Sequence, residues 1–344
     1  MKLPATEIRK IAIFRALQLG DLLCSIPAIR MLRKAYPKSI ISFIGLPAME
    51  GLISRFPGYI DEFIAFPGYP GLPEQSYDPG KFKQFINVVR SKAFDLVLQM
   101  QGNGSIVNEM IGFFGAKHVA GFCMTKEKQT NLLLRYPQHV HEINRHLALM
   151  EHLGITTESG TDLEFPLFES DQHELKTRGL ALKANSYVCL HPGSRGSWRQ
   201  WPPLYFAMAA DICAEAGYEV IITGTKEEIE LASKVAGLMR YEPIIASGRT
   251  SLGAVAALIA NAKGLISNCT GVSHVAAALR TPSVVISMDG EPLRWGPLNK
   301  TLHRTIDWTT APGYNQVSAA VNSMCGSVGN EQSGYRFDNL KFIR

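Results

Sequence analysis

Short apolar blocks alternate with longer amphipathic stretches along most of this chain. The block IAIF runs into a turn, and in the stretch that follows Leu22, Ile26 and Ile29 recur at the i, i+4, i+7 spacing of a helix face. FDLVLQMQG predicts a further buried strand, and HEINRHLALMEHLGI predicts an amphipathic helix that ends at Gly154. The first half of the chain is therefore expected to alternate strands and helices.

The start of the first helix has two interpretations. Asp21 caps the helix and Pro27 bends it, or Ser25 caps it and Pro27 occupies the tolerated first turn. Both interpretations leave Gly20 and Asp21 at the turn that follows the first strand.

The same alternation resumes beyond residue 185. YVCLH, YEVIITG, PIIAS, GLISN and PSVVIS predict strands, with helical stretches between them. These strands are rich in Val and Ile and lack a two-residue alternation, which is typical of parallel sheets covered by helices on both faces. We therefore predict an α/β protein of two Rossmann-like, doubly wound domains that face a central cleft, with ligands at the carboxyl ends of the strands.

The length of 344 residues also favours two domains. Few strand or helix signals occur from about 156 to 185, where the chain carries the acidic, proline-bearing stretch TDLEFPLFESDQHEL. We predict an N-terminal domain over 1–165, a linker over 166–185 and a C-terminal domain over 186–312. The remaining segment, 313–344, is expected to pack back toward the N-terminal domain.

Composition narrows the class of protein. A hydrophobic fraction of 46% and a charged fraction of 19% are typical of a soluble globular protein. The net charge of +5 is small, and the scattered lysines and arginines disfavour nucleic-acid binding. Six widely spaced cysteines predict buried thiols and a reducing cytoplasm. No apolar run approaches the length that spans a bilayer, and no signal peptide is expected.

Candidate chemistry occurs where predicted strands end. Gly20 allows close backbone approach, and Asp21 is either a general base or a helix cap, two roles that are compatible. No histidine cluster has the spacing of a metal site, so no metal is expected.

The loop HPGSRGSWRQWP, residues 191–202, combines three kinds of anion donor. Gly193 and Gly196 leave backbone N–H groups accessible, Ser194 adds a hydroxyl, and Arg195 and Arg199 add fixed positive charge. The spacing is not that of a Walker motif. The loop is either a phosphate cradle or an exposed turn, and the tryptophan before its last proline is expected to pack against the next helix.

Two further strand ends carry candidates. Thr270 and Gly271 begin a helix whose free N–H groups and dipole favour an anion, and His274 lies in its first turn. The neighbouring Ser273 suggests a hydrolase, but no G-x-S-x-G elbow is present, so a structural or phosphate-facing His274 is favoured. In TGTKEE, Glu228 could accept from a ribose or could simply be a solvated helix-start residue.

Together these motifs resemble the family 9 glycosyltransferases, whose best-known members are ADP-heptose:lipopolysaccharide heptosyltransferases. The resemblance runs from about Ile8 to Val321. It rests on five motifs in order: IAIFRALQLGDLLCSIPAIRMLRKAYP, FDLVLQMQGNGS, HEINRHLALMEHLGI, LHPGSRGSWRQWPPLYFAMAADICAEAGYEVIITGTKEE and SNCTGVSHVAAALRTPSVVIS. The resemblance implies a GT-B fold with the acceptor on the first domain and the nucleotide-sugar donor mostly on the second.

The resemblance also implies site roles. Asp21 matches the family's proposed base, beside Gly20 on the acceptor side, and Arg199 matches a phosphate-binding position that is usually Lys. The diphosphate loop is matched by Ser194 and Arg195. The phosphate-facing helix start is matched by Thr270, Gly271 and His274. Glu228 loosely matches a residue near the donor ribose.

Cys269 departs from the family pattern, which usually has Asp before Thr-Gly, near the donor sugar. Because a thiol is a poor hydrogen-bond partner, the departure should affect the sugar rather than the phosphate. The donated sugar is therefore expected to be heptose or another hexose-like sugar.

The expected reaction is an inverting transfer from a nucleoside-diphosphate sugar, with ADP favoured, to a glycolipid or glycan hydroxyl. No additional cofactor is expected. Contact with the cytoplasmic membrane face follows from the resemblance alone, since the chain shows no strong amphipathic anchor. The alternatives are a nucleotide-sugar epimerase or hydrolase of the same fold, and a non-catalytic nucleotide-sugar-binding protein. A dehydrogenase is disfavoured because neither half opens with G-x-G-x-x-G.

Overall fold

A computed structural model describes residues 2–156 and 160–326. The chain divides into two compact units, Met1–Asp162 and Leu163–Arg344. Each unit contains one six-stranded sheet whose strand pairings are all parallel. The predicted α/β class with two Rossmann-like sheets is therefore confirmed.

Across 2–156 and 160–162, the first unit shows six strands and five α-helices. The strands are β1 (Lys10–Phe14), β2 (Ile40–Gly45), β3 (Glu62–Ala65), β4 (Leu96–Gln99), β5 (His118–Cys123) and β6 (Leu133–Arg135). The helices are α1 (Leu19–Ala35), α2 (Glu50–Ile53), α3 (Pro79–Ser91), α4 (Val107–Gly112) and α5 (Glu142–His152). The strand order is β3-β2-β1-β4-β5-β6, in which the chain reverses direction across the sheet between β1 and β4.

The first helix begins earlier than either interpretation of the sequence allowed. Its N-cap is Gln18, whose side chain makes no capping hydrogen bond, and Asp21 lies inside the first turn. Pro27 is accommodated within the buried body of the helix, and the Ser25 hydroxyl donates to the carbonyl of Leu22 at 2.6 Å instead of capping. Neither Asp21 nor Ser25 is therefore the N-cap residue.

The second unit repeats the plan of the first. Its strands are β7 (Tyr187–His191), β8 (Glu219–Ile222), β9 (Ile244–Ile245), β10 (Gly264–Asn268), β11 (Ser283–Ser287) and β12 (His303–Asp307). Its helices are α6 (Glu169–Thr177), α7 (Pro203–Glu215), α8 (Ile229–Leu238), α9 (Leu252–Asn261), α10 (Gly271–Ala278), α11 (Pro292–Trp295) and α12 (Tyr314–Gly326). The order β9-β8-β7-β10-β11-β12 matches that of the first sheet, so its reversal lies between β7 and β10.

Two segments outside the predicted domain cores have regular structure. The predicted linker, 166–185, contains α6, which packs against α9 of the second unit. Helix α12 places Val317 and Val321 in the second unit's core, although the sequence assigned it to a segment returning to the first domain. Residues 327–344 of that segment lie outside the described part, so its predicted destination and the predicted domain limits stay predictions.

The six cysteines are free and buried, which confirms that they are buried thiols. Across 2–156 and 160–326, no helix combines the length and the apolar character that a bilayer crossing requires.

Candidate active site

Asp21 lies beside a buried arginine at the carboxyl end of β1. Arg15 directly follows β1, and its Nε donates to the backbone carbonyl of Asp21 at 2.8 Å. Its Nη2 lies 3.6 Å from Oδ1 of the Asp21 carboxylate, whose side chain is 25% exposed. Asp21 therefore combines an ionic partner behind it with access to solvent, as a general base requires.

Helix α5 supplies the second carboxylate of this cluster. Arg15 Nη2 lies 3.2 Å from Glu142 Oε1, and Arg145 pairs with Glu142 Oε2. Burial by itself would raise the pKa of Glu142, but nearby His146 and the two arginine charges outweigh it and hold that pKa far below its ordinary value. Burial, reinforced by the Arg15 charge, lowers the pKa of His146 to about 4. Glu142 is therefore charged and His146 neutral near pH 7.

The same arginine joins the two central strands of the sheet. Arg15 Nη1 donates to the carbonyl of Met100, directly after β4, while the Gln101 side chain accepts from the Ala16 N–H at 2.7 Å. This is the point where the strand order reverses, the usual ligand position in open parallel sheets. Gly20 lies in the first turn of α1, one residue before Asp21.

In the second unit, Asn268 at the end of β10 anchors the loop that follows β7. Its Nδ2 donates to the carbonyls of Pro192 and Gly193 at 2.7 and 3.2 Å, and its Oδ1 accepts from the Trp201 N–H at 2.9 Å. Trp201 is fully buried and stacks on Tyr205 at a centroid distance of 5.3 Å. The loop is therefore pinned at both ends, and the predicted packing role of its second tryptophan is confirmed.

Arg199 carries the principal charge of this loop. Its Nη2 lies 3.1 Å from Oδ2 of Asp289, and its guanidinium covers the exposed Trp198 ring at 4.8 Å. Its Nε is buried and meets no hydrogen-bond acceptor among residues 2–156 and 160–326. Asp289 is nearly buried, and its Oδ1 accepts from the Ser287 hydroxyl at 2.8 Å and from the Glu291 N–H at 3.2 Å. Arg199 is thus oriented by one partner while another donor remains unused.

The other predicted phosphate ligands lie in the loop after β7 and at the start of α10, which follows β10. Ser194 is buried, with its carbonyl accepting from the Gln200 side chain at 3.1 Å, whereas Arg195 is exposed. Thr270 is the N-cap residue of α10 without a side-chain capping bond, and Gly271 is the first residue of that helix.

Ser273 and His274 do not form a hydrolase pair. The Ser273 hydroxyl is buried and donates to the Thr270 carbonyl at 2.7 Å, which commits it to the helix start. His274 is buried, with its ring 6.3 Å from the Trp295 ring in an edge-on arrangement. The geometry therefore gives no support to a serine nucleophile here.

Glu228 contacts the loop after β7 and is not the solvated helix-start residue of one interpretation. Its Oε2 accepts from the Thr225 N–H at 2.8 Å, and a Cβ at position 193 would collide with its carboxylate. His191 Nε2 lies 3.9 Å from Oε2. Burial lowers the pKa of His191, so this contact is not an ion pair near pH 7. A larger residue at position 193 would therefore have to displace the Glu228 carboxylate.

Cys269 is a neutral thiol within a charged neighbourhood. Burial raises its pKa to about 12, and the charge of Asp289 acts in the same direction, whereas Arg199 and Lys300 oppose it. The carboxylate of Asp289, in the loop after β11, is therefore close to the Cys269 thiol.

Four residues of these two sites were not identified from the sequence: Arg15, Glu142, Asn268 and Asp289. Arg15, Asn268 and Asp289 lie at or shortly after the ends of predicted strands, so the rule that ligands bind at carboxyl ends of strands could have included them. Glu142 lies on α5, and its contact with Arg15 joins residues 127 positions apart. Among the described residues, no group of three or more His, Cys, Asp or Glu could hold a metal ion.

Two parallel sheets with polar and charged loops at the carboxyl ends of their strands are the architecture of glycosyltransferases with the GT-B fold. The sequence model of glycosyltransferase family 9 (heptosyltransferase) matches residues 82–317. This match covers more than half of the chain, and the chain belongs to glycosyltransferase family 9. The protein is therefore a glycosyltransferase.

Known relatives agree with this assignment. Lipooligosaccharide heptosyltransferase 2 of Haemophilus ducreyi is 26% identical over 323 residues, which cover 87% of this chain and 89% of the relative. The crystal structure of a family 9 glycosyl transferase from Veillonella parvula has a TM-score of 0.78 at 21% identity and covers 94% of this chain and 98% of its own. ADP-heptose LPS heptosyltransferase II of E. coli has a TM-score of 0.74 at 20% identity, covering 92% and 98%. These structures confirm the predicted GT-B fold.

Proposed function

We propose that the protein is an inverting transferase that moves heptose, or another hexose-like sugar, from an ADP-linked donor to a hydroxyl of a lipopolysaccharide core or another cell-surface glycan. The names of the similar proteins support this donor and this acceptor class. A lipopolysaccharide-type acceptor would place the enzyme in the cytoplasm, at the inner face of the membrane.

The observation that carries the proposal is the arrangement around Arg199. Its charge acts on the Cys269 thiol, directly before the start of α10, and its buried Nε lacks an acceptor among the described residues. A diphosphate offers oxygens to such a donor and to the free N–H groups of a helix start. We assign the donor diphosphate to Arg199, Arg195, Ser194, Thr270, Gly271 and His274, and the ribose to Glu228.

In the proposed reaction Asp21 accepts the proton of the acceptor hydroxyl as that oxygen bonds to the anomeric carbon. The bond between this carbon and the diphosphate oxygen breaks, and the electron pair leaves on the nucleoside diphosphate. Arg199 stabilises the negative charge that develops there. One displacement inverts the anomeric configuration and needs neither a covalent intermediate nor a metal ion.

The test is a donor screen followed by a transfer assay. Purified protein is heated with ADP-heptose, GDP-mannose or UDP-glucose, because a ligand of the native state raises the unfolding temperature. Each donor is then incubated with heptose-deficient lipopolysaccharide, and the new anomeric linkage is assigned by NMR. Stabilisation by the ADP-sugar and an inverted linkage are expected. Donor consumption without any acceptor product would instead support an epimerase or hydrolase and overturn the proposal.

A further inference from the structure

The Asp21 carboxylate lies beside a buried cluster that contains two arginines and one glutamate. Arg15, Arg145 and Glu142 are all nearly fully buried, and together they carry one excess positive charge. His146 adds none near pH 7 because burial lowers its pKa to about 4. The Asp21 carboxylate, 3.6 Å from Arg15, adds a negative charge beside it.

Arg15 also fixes the backbone on which Asp21 stands. Its Nε binds the Asp21 carbonyl at 2.8 Å, its Nη1 binds the Met100 carbonyl, and its Nη2 faces Glu142 at 3.2 Å. One rigid guanidinium thereby holds together the end of β1, the first turn of α1, the end of β4 and the start of α5. A lysine, with a single point of charge, could not reproduce this fork.

We propose that Arg15 is a positioning residue that orients Asp21 and keeps its carboxylate ionised between turnovers, with Glu142 limiting how strongly Arg15 weakens that base. The inference rests on the proposed role of Asp21 as the base. The charged and titratable groups of this network include Arg15 at the end of β1 and Glu142, Arg145 and His146 on α5. Protonation of Asp21 removes the negative charge 3.6 Å from the buried Arg15 guanidinium, which favours release of that proton after each transfer.

The experiment compares pH profiles of kcat for transfer from ADP-heptose to heptose-deficient lipopolysaccharide. Arg15→Met should move the acidic limb upward by at least about one pH unit, because an opposite charge within about 4 Å shifts a carboxylate by roughly 1–3 units. Arg15→Lys should keep the limb near its wild-type position while lowering kcat. Affinity for ADP should stay unchanged in both variants.

The matched control is Arg33→Met, on the same helix. Arg33 pairs with Asp61 at 2.5 Å near the far end of α1 and has no contact with Asp21. Its removal also breaks an arginine–carboxylate pair, so it should lower the unfolding temperature without moving the acidic limb.

The outcomes separate the two proposals. An inactive Asp21→Asn together with an unmoved limb in Arg15→Met overturns the positioning role alone, whereas a fully active Asp21→Asn removes the base and this inference with it. If Arg15→Met does not fold, the pH profile of kcat for Glu142→Gln provides the test. Loss of that negative charge should move the limb to lower pH, and movement to higher pH contradicts the inference.

Discussion

The two sheets have the same strand order, but different side chains bridge the central strands at the point where that order reverses. In the first unit a charged residue, Arg15, bonds to the carbonyl after β4 and is enclosed by carboxylates. In the second unit a neutral amide, Asn268, bonds to the carbonyls after β7. The charged groups at the first point pair with one another, whereas at the second point Arg199 pairs with Asp289 and its buried Nε meets no acceptor among the described residues.

This difference matches the two tasks of a glycosyl transfer. A general base must keep a defined protonation state, which a buried cluster of paired charges provides. A diphosphate brings its own negative charge, so its site needs preorganised donors that lack a complete set of internal partners. We therefore expect substitutions around Arg15 and Asp21 to affect turnover, and substitutions around Asn268 and Arg199 to affect donor binding.

The largest expected effect on donor binding comes from Arg199→Ala. The substitution removes a charge-assisted contact worth about 1.5–3 kcal/mol, so ADP should bind roughly 10- to 100-fold more weakly by calorimetry. Arg240→Ala is the matched control, since Arg240 is exposed on the same unit and pairs with Asp211 at 3.2 Å. Equal ADP affinity in the Arg199 variant and the wild type would remove Arg199 from the donor site.

A smaller effect is expected from substituting Asn268, whose neutral amide holds the loop after β7. Asn268→Ala loses three hydrogen bonds and leaves the buried Trp201 N–H without its acceptor, so the free energy of unfolding should fall by about 1–3 kcal/mol. ADP affinity should fall too, because the loop is no longer pinned. Asn261→Ala, which loses one bond to the Ala257 carbonyl within α9, should leave ADP affinity unchanged. A stable Asn268 variant with normal ADP affinity would show that the hydrogen bonds of Asn268 are not needed for donor binding.

The smallest effect concerns pH and stability, and it is shared by both units. Burial lowers the pKa of His146 in the first unit and of His303 in the second to about 4. The unfolded chain takes up these protons near pH 6.5, so it binds more protons between about pH 6.5 and 4 and stability falls as the pH falls through that window. At about pH 5, each histidine should lower the free energy of unfolding by on the order of 2 kcal/mol relative to neutral pH.

Urea unfolding between about pH 5 and 7 measures this dependence. His303→Gln removes one of these groups, so the slope of unfolding free energy against pH should decrease by about 1.4 kcal/mol per pH unit in the steepest part of the window. An unchanged slope would mean that His303 does not titrate on unfolding.

Local patterns predicted the fold, and they predicted which residues lie at the ends of the strands. The Val- and Ile-rich blocks identified buried parallel strands, and their ends pointed to Asp21 and to the loop carrying Arg199. The same patterns could not show that Arg15 meets Glu142, 127 positions away, or that Asn268 meets Gly193, 75 positions away. Such contacts depend on strand order, which hydrophobic periodicity does not encode.

The start of α1 shows a second limit of local patterns. Capping preferences favoured Asp21 or Ser25, but the helix begins at Leu19 and includes Pro27 in a buried position. Packing of α1 against α5 outweighs the preference for a side-chain cap, which is typically worth about 1 kcal/mol.

The most direct test of the account is the turnover of Asp21→Asn with ADP-heptose and heptose-deficient lipopolysaccharide, alongside its affinity for ADP. Asparagine keeps the size of the side chain but cannot accept the proton. We predict a fall in kcat of about 10²- to 10⁴-fold with ADP affinity unchanged. A folded variant with near wild-type kcat would contradict the assignment of Asp21 as the base.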